Sequence, residues 1–171
     1  DIYGLICLIL AVLLLLGSTG CNSRKDEIKE PVNFYYCRET DKVIYGAGDG
    51  VVAREIREGS SMEMDKLLSL YLKGPQTEGL NRTFPKGVSL ISLTIENDTA
   101  VIVLSDFFSA LTGIDLTIGC ACLTLTVCEL TGAKGITVST ETTLLDGNRS
   151  VSMTVEEVLL LDICDTIPDP E

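Results

Sequence analysis

Between Ser60 and Pro75 the residue types prescribe a helix with one buried face and two defined ends. Met64, Leu67, Leu68, Tyr71 and Leu72 recur three and four residues apart, which gathers them on one side of a helix. Ser60 stands three residues before Glu63, the spacing of a capping box, where each side chain satisfies an orphan amide of the first turn. Gly74-Pro75 then stops the helix, because Gly adopts a left-handed cap and Pro cannot continue. A single apolar stripe must be buried against another element, and strand-forming runs lie on both sides. VNFYYC (Val32–Cys37) and VVAREIRE (Val51–Glu58), the second with a charged face, precede the helix. VSLISLTI (Val88–Ile95) and AVIVL (Ala100–Leu104) follow it. Only Glu96-Asn97-Asp98-Thr99 separates these last two, so they are expected to pair as an antiparallel hairpin.

The second half is less decided. In DLTIGCACLTLTVCELTG (Asp115–Gly132), Ile118, Ala121, Cys122, Leu125 and Cys128 form a helical stripe. Leu123, Leu125 and Val127 also alternate with Thr as a strand would, and Thr lowers helix propensity. GITVST (Gly135–Thr140) reads as a strand and Leu145-Asp146-Gly147-Asn148 as a turn. Thr154 and Glu157 have the spacing to cap a short last helix with Val158 and Leu159, and the tail with Pro168 and Pro170 reads as frayed. GAGDG (Gly46–Gly50) lacks the spacing of a dinucleotide loop and no Lys-Ser/Thr follows it, so it is read as a turn.

The N-terminal end has a different character. From Ile2 to Leu16 there is no charge, and the run falls short of the ~20 residues that a spanning helix needs. It has the length of a signal-peptide apolar region, with small residues after it. Ser18-Thr19-Gly20-Cys21 resembles the cleavage box of bacterial lipoproteins, in which the cysteine sulfur takes a diacylglycerol. Residues 1–20 are therefore expected to be a signal peptide, Cys21 the lipidated site, and 21–31 a charged tether ending in Pro31. A plain N-terminal anchor with an incidental cysteine is the alternative; both put the rest of the chain outside the cytoplasmic membrane.

Charge and cysteine content narrow the function. A net charge of −12 argues against binding nucleic acid through its phosphates. It also repels an anionic lipid surface, so a covalent anchor makes physical sense, each buried methylene of an acyl chain contributing roughly 0.8 kcal/mol. With Cys7 in the signal and Cys21 lipidated, Cys37, Cys120, Cys122, Cys128 and Cys164 remain, an odd set that does not make a closed disulfide framework. There is no histidine, and Cys120-Ala121-Cys122 lacks the gap of a zinc knuckle, so neither metal nor cofactor is expected. These thiols are read as small buried hydrophobes. Ser105 and Asp106 could be read as nucleophile and acid, but no motif supplies a base, and Ser105 capping a short helical turn through Phe107-Phe108 is the plainer reading. Asp106 and Asp115 could serve an acidic hydrolase only if the fold brought them together.

Taken in order, these segments resemble the GerMN domain of sporulation and spore-germination lipoproteins. LLSLYLKGPQTEGLNRTFPKGVSL (Leu67–Leu90) is similar to that family's helix, its Gly-Pro stop and the Pro-x-Gly lead into the hairpin. TAVIVLSDFF (Thr99–Phe108) and LTLTVCELTGAKGITVSTETTLLDG (Leu123–Gly147) are similar to its next strand, long helix and closing Asp-Gly. The resemblance implies an α/β (α+β) sandwich: a small mixed or antiparallel sheet with two helices packed on one face, akin to ring-building modules. It makes the ambiguous segment a helix and places a GerMN-like domain at 32–147, with a C-terminal extension at 148–171. It further implies a non-enzymatic assembly role in the envelope of the sporulating cell, with sporulation-complex proteins or further copies of the chain in a ring as partners. A generic envelope lipoprotein that binds a small ligand or wall polymer is the alternative.

Overall fold

The computed structural model describes residues 31–39, 51–58 and 62–158. The expected signal peptide, Cys21, the tether before Pro31, the Gly46–Gly50 turn, Ser60, Cys164 and the proline-containing tail lie outside the described residues. The fold is α+β, with its strands divided between two sheets. In the first, β1 (Pro31–Arg38) pairs antiparallel with β2 (Val52–Glu58) on one side and, at Cys37 and Arg38 only, with the short β3 (Leu80–Asn81) on the other. The second has the order β4 (Leu90–Glu96), β5 (Thr99–Leu104), β6 (Gly135–Thr140), β7 (Ser150–Thr154). Its two outer pairs are antiparallel, whereas β5 and β6 are parallel. Parallel neighbours need a crossover, supplied by α2 (Gly113–Thr131). Two shorter helices, α1 (Met64–Leu72) and α3 (Val155–Val158), complete the described fold with a 3-10 turn at Asp106–Ala110.

The β4–β5 hairpin closes through Asn97 and Asp98, both at positive φ (49° and 62°). This is the two-residue turn whose twist matches that of the strands, in residue types that tolerate it. Ala100, Ile102 and Leu104 of β5 and Ile136 and Val138 of β6 are buried on the side that carries α1 and α2. Their outward neighbours Val101, Val103, Thr137 and Ser139 are half-exposed, so the helices cover one face of this sheet.

α2 is a helix, as the family resemblance implies, and its burial explains why neither period stands out. Leu116 and every residue from Gly119 to Cys128 are buried, between β1 on one side and β5, β6, β7 and α3 on the others. A helix enclosed on all sides is apolar all round. Its length and composition would suit a membrane span, yet here it is the core helix. Its threonines have specific partners. The Thr124 hydroxyl donates to Cys120 O (2.7 Å), and Thr126 Oγ1 accepts from Tyr35 N of β1 (2.9 Å). The latter covers an edge amide that β3 is too short to pair.

The structure departs from the sequence reading in three places. α1 begins at Met64, and Glu63, expected as the third residue of the first turn, is instead its N-cap: its carbonyl accepts from Lys66 N and Leu67 N and its carboxylate pairs with Lys66 (3.0 Å), while Ser60, the other half of the expected capping box, lies outside the described residues. β2 carries the expected charged face, with Arg54 and Glu58 exposed beside Ile56, but it carries charge on its inner face too: Glu55 and Arg57 are 4% and 8% exposed. Glu55 accepts from Arg57 Nε, Gln76 N, Thr77 N and Thr77 Oγ1 at 2.6–2.8 Å. Arg57 donates to Gly74 O (2.7 Å) and lies over the Phe34 and Tyr36 rings. The segment after α1 thus supplies the partners that let a charged pair stay buried. Lastly, the sheet does not end near Gly147. β7 pairs with β6 from Ser150 to Thr154, and α3 then packs on α2. The capping box of α3 forms as expected, Thr154 N donating to Glu157 Oε2 (2.7 Å) and Glu157 N to Thr154 Oγ1 (3.3 Å).

Candidate assembly surface

β5 and β6 run side by side and end at Leu104 and Thr140, so the segments that follow them emerge at one pole of the molecule. The first is the 3-10 turn, where Phe108 N bonds to the carbonyl of Ser105. The Ser105 side chain makes no cap bond; its hydroxyl accepts from Ser89 N (3.0 Å) and donates to Gly87 O (3.3 Å). It is a backbone tie, not the side-chain cap expected from sequence, and both partners belong to the segment leading into β4.

Asp106 joins the second segment to the first. Its carboxylate accepts from Thr142 N (2.9 Å), Thr142 Oγ1 (2.5 Å), Thr143 N (3.1 Å) and Thr143 Oγ1 (3.1 Å). Hydrogen bonds from the Thr142 hydroxyl and from the Thr142 and Thr143 amides favour the charged form and lower its pKa to about 2. It is therefore a fixed anion near neutral pH. Asp115, in the first turn of α2, lines a separate concavity with Cys37 and Arg82, so the fold does not bring the two carboxylates into one site.

A third tie runs from Gly113 N to Asp146 Oδ2 (3.2 Å). Together these bonds fix three large apolar side chains in the open: Phe107, Ile114 and Leu144 are 63%, 74% and 52% exposed. Two of them sit beside a fully buried twin, Phe108 and Leu145, so each pair sends one residue into the core and one out. Phe107 lies across Gly87, where φ is +95° and a Cβ would stand 3.3 Å from the ring. Pro85, Ala110 and Glu141 line a shallow concavity beside Phe107. Sequence reasoning recognised Asp106 and the Phe107-Phe108 pair but not this exposure; doublets of large apolar residues next to turn residues were the available signal.

The thiols do not contribute to this surface. Cys120, Cys122 and Cys128 are buried in α2 and Cys37 half-buried, all four free. Burial pushes the Cys120 thiol up to about 12 and Cys128 to about 11, and raises Cys122 as well. Such thiols are inert as nucleophiles and act as packing groups. Among the described residues no three His, Cys, Asp or Glu side chains are grouped to hold a metal ion.

The sequence pattern of the family described as Germane, sporulation and spore germination, matches residues 33–156. No match was found among curated protein sequences. Among solved structures, the tandem GerMN domains of the sporulation protein GerM from Bacillus subtilis superpose with a TM-score of 0.53 at 17% identity, covering 74% of this chain and 45% of that one. This chain thus spans about half the length of the tandem protein. The first GerMN domain of the same protein gives 0.52 at 12% identity, covering 80% of this chain and 98% of that one. At these identities the likeness is one of fold.

Proposed function

Because this chain belongs to the Germane family of sporulation and spore-germination domains, we propose that it is an exported lipoprotein that helps assemble envelope complexes without catalysing a reaction. Residues 1–20 serve as its signal peptide, and Cys21 carries the lipid that holds it to the outer face of the cell membrane. The apolar run and small-residue box before Cys21 support the anchor. The observation that carries the assembly role is the pole itself. Phe107, Ile114 and Leu144 are exposed but held by a hydrogen-bonded frame, as a docking surface requires and a flexible loop does not provide. Asp106, which ties the two segments together, is committed to four donors and is not available for proton transfer. Its partners are envelope or sporulation-complex proteins, further copies of the chain in a ring among them.

The test is a fluorescent fusion imaged in sporulating cells beside a Cys21→Ala version. Foci at the engulfing septum that disappear with Cys21→Ala are expected. A uniform peripheral signal in growing cells would contradict the sporulation role, and an unchanged membrane signal in the variant would remove Cys21 as the anchor.

A further inference from the structure

The direction of α2 relates the exposed pole to the membrane attachment. β1 and α2 run antiparallel: Asn33 Nδ2 bonds Glu129, Tyr35 N bonds Thr126 Oγ1, and Cys37 shares a concavity with Asp115 and Ile118. Pro31, where the chain arrives from Cys21, therefore lies beside the C-terminal end of α2. Ile114 lies at its other end, roughly 22 Å away at ~1.5 Å per residue. The pole faces away from Pro31, the start of β1.

Charge distinguishes the possible occupants. The segments that build the pole carry Asp106, Glu141 and Asp146 against Lys86 and Arg149, in a chain of net charge −12. An anionic bilayer would be repelled. A second copy docking through the same patch would set acid against acid. We propose that this pole, with Phe107, Ile114 and Leu144 at its centre and carboxylates around them, is a membrane-distal dock for a partner protein's amphipathic segment bearing Lys or Arg. The apolar face of such a segment covers the three side chains, and its cations meet the rim. The proposal rests on the assembly reading above and specifies the partner's chemistry.

The full chain in neutral-lipid nanodiscs is titrated with a labelled amphipathic peptide of Leu and Lys, and with its Leu and Glu counterpart. The Leu/Lys peptide binds, more weakly as salt is raised, and Phe107→Ser with Leu144→Ser reduces its affinity about tenfold or more. Ile56→Ser, equally exposed but on β2, leaves it unchanged, and unchanged melting of each variant shows that the fold is intact. Equal affinity in the double variant, or equal binding of the Leu/Glu peptide, overturns the proposal. So does a concentration-dependent dimer that the double variant abolishes, which would make a second copy the occupant. Failure of this titration alone removes the dock and leaves the anchored-assembly reading standing; failure of the Cys21 imaging removes that reading whatever the peptides do.

Discussion

Asp106 and Glu55 are both multiply hydrogen-bonded carboxylates, and they predict different things because one is at the surface and the other is not. Asp106 has its folded pKa lowered to about 2, so its contribution to stability is complete above its unfolded pKa of about 4 and is lost as pH falls toward 2. Asp106→Asn should therefore melt below the wild type at neutral pH, with the gap closing between about pH 4 and pH 2; thermal unfolding across that range measures it. For Glu55, burial works against the charge, but hydrogen bonds from Thr77, Gln76 and Arg57 outweigh it and hold the pKa below the usual carboxylate range. Glu55→Ala strands a buried guanidinium and two backbone amides. It should cost about 3–5 kcal/mol in urea unfolding, the range for breaking a buried pair from one side. Replacing Glu55 and Arg57 together by Leu and Met should cost clearly less than Glu55→Ala alone.

At the level of elements, α2 carries the sharpest prediction. Thr126→Val barely alters helix propensity but removes the Oγ1 that accepts from Tyr35 N, so it should cost about 1–3 kcal/mol and speed hydrogen exchange at that amide. The same residue shows why α2 was hard to read. Its threonines imitate a strand's alternation because they serve a neighbouring strand edge and the helix backbone, which no local pattern encodes. The elements with one buried face were legible: α1, the β4–β5 hairpin and β6 all lie close to where apolar spacing and turn residues put them. β2 lies where expected with Arg54 and Glu58 on its exposed face, but its buried pair was not legible, because Glu55 and Arg57 are satisfied by Gly74, Gln76 and Thr77, which follow in sequence only after a whole helix. β7 was missed because SVSMT is a short, half-polar edge strand, and only Val151 and Met153 hint at its inner face. At the pole, Asp106 drew notice as a possible acid. Its actual role depends on Thr142 and Thr143, some three dozen residues away, and nothing local pointed to them.

For the whole molecule, the picture is of a small acidic domain whose long buried helix separates two working ends. One end holds the start of β1 at Pro31, where the proposed tether joins; the other displays Phe107, Ile114 and Leu144 in a fixed frame. Anchoring and docking are then separable properties, and a variant can lose one and keep the other. The most direct measurement is septal recruitment of a Phe107→Ser, Leu144→Ser fusion, quantified beside the wild type and Cys21→Ala in sporulating cells. The expected result is a protein that stays membrane-bound, because Cys21 is intact, but no longer gathers into foci. Foci of wild-type intensity in that variant would contradict assembly through this pole.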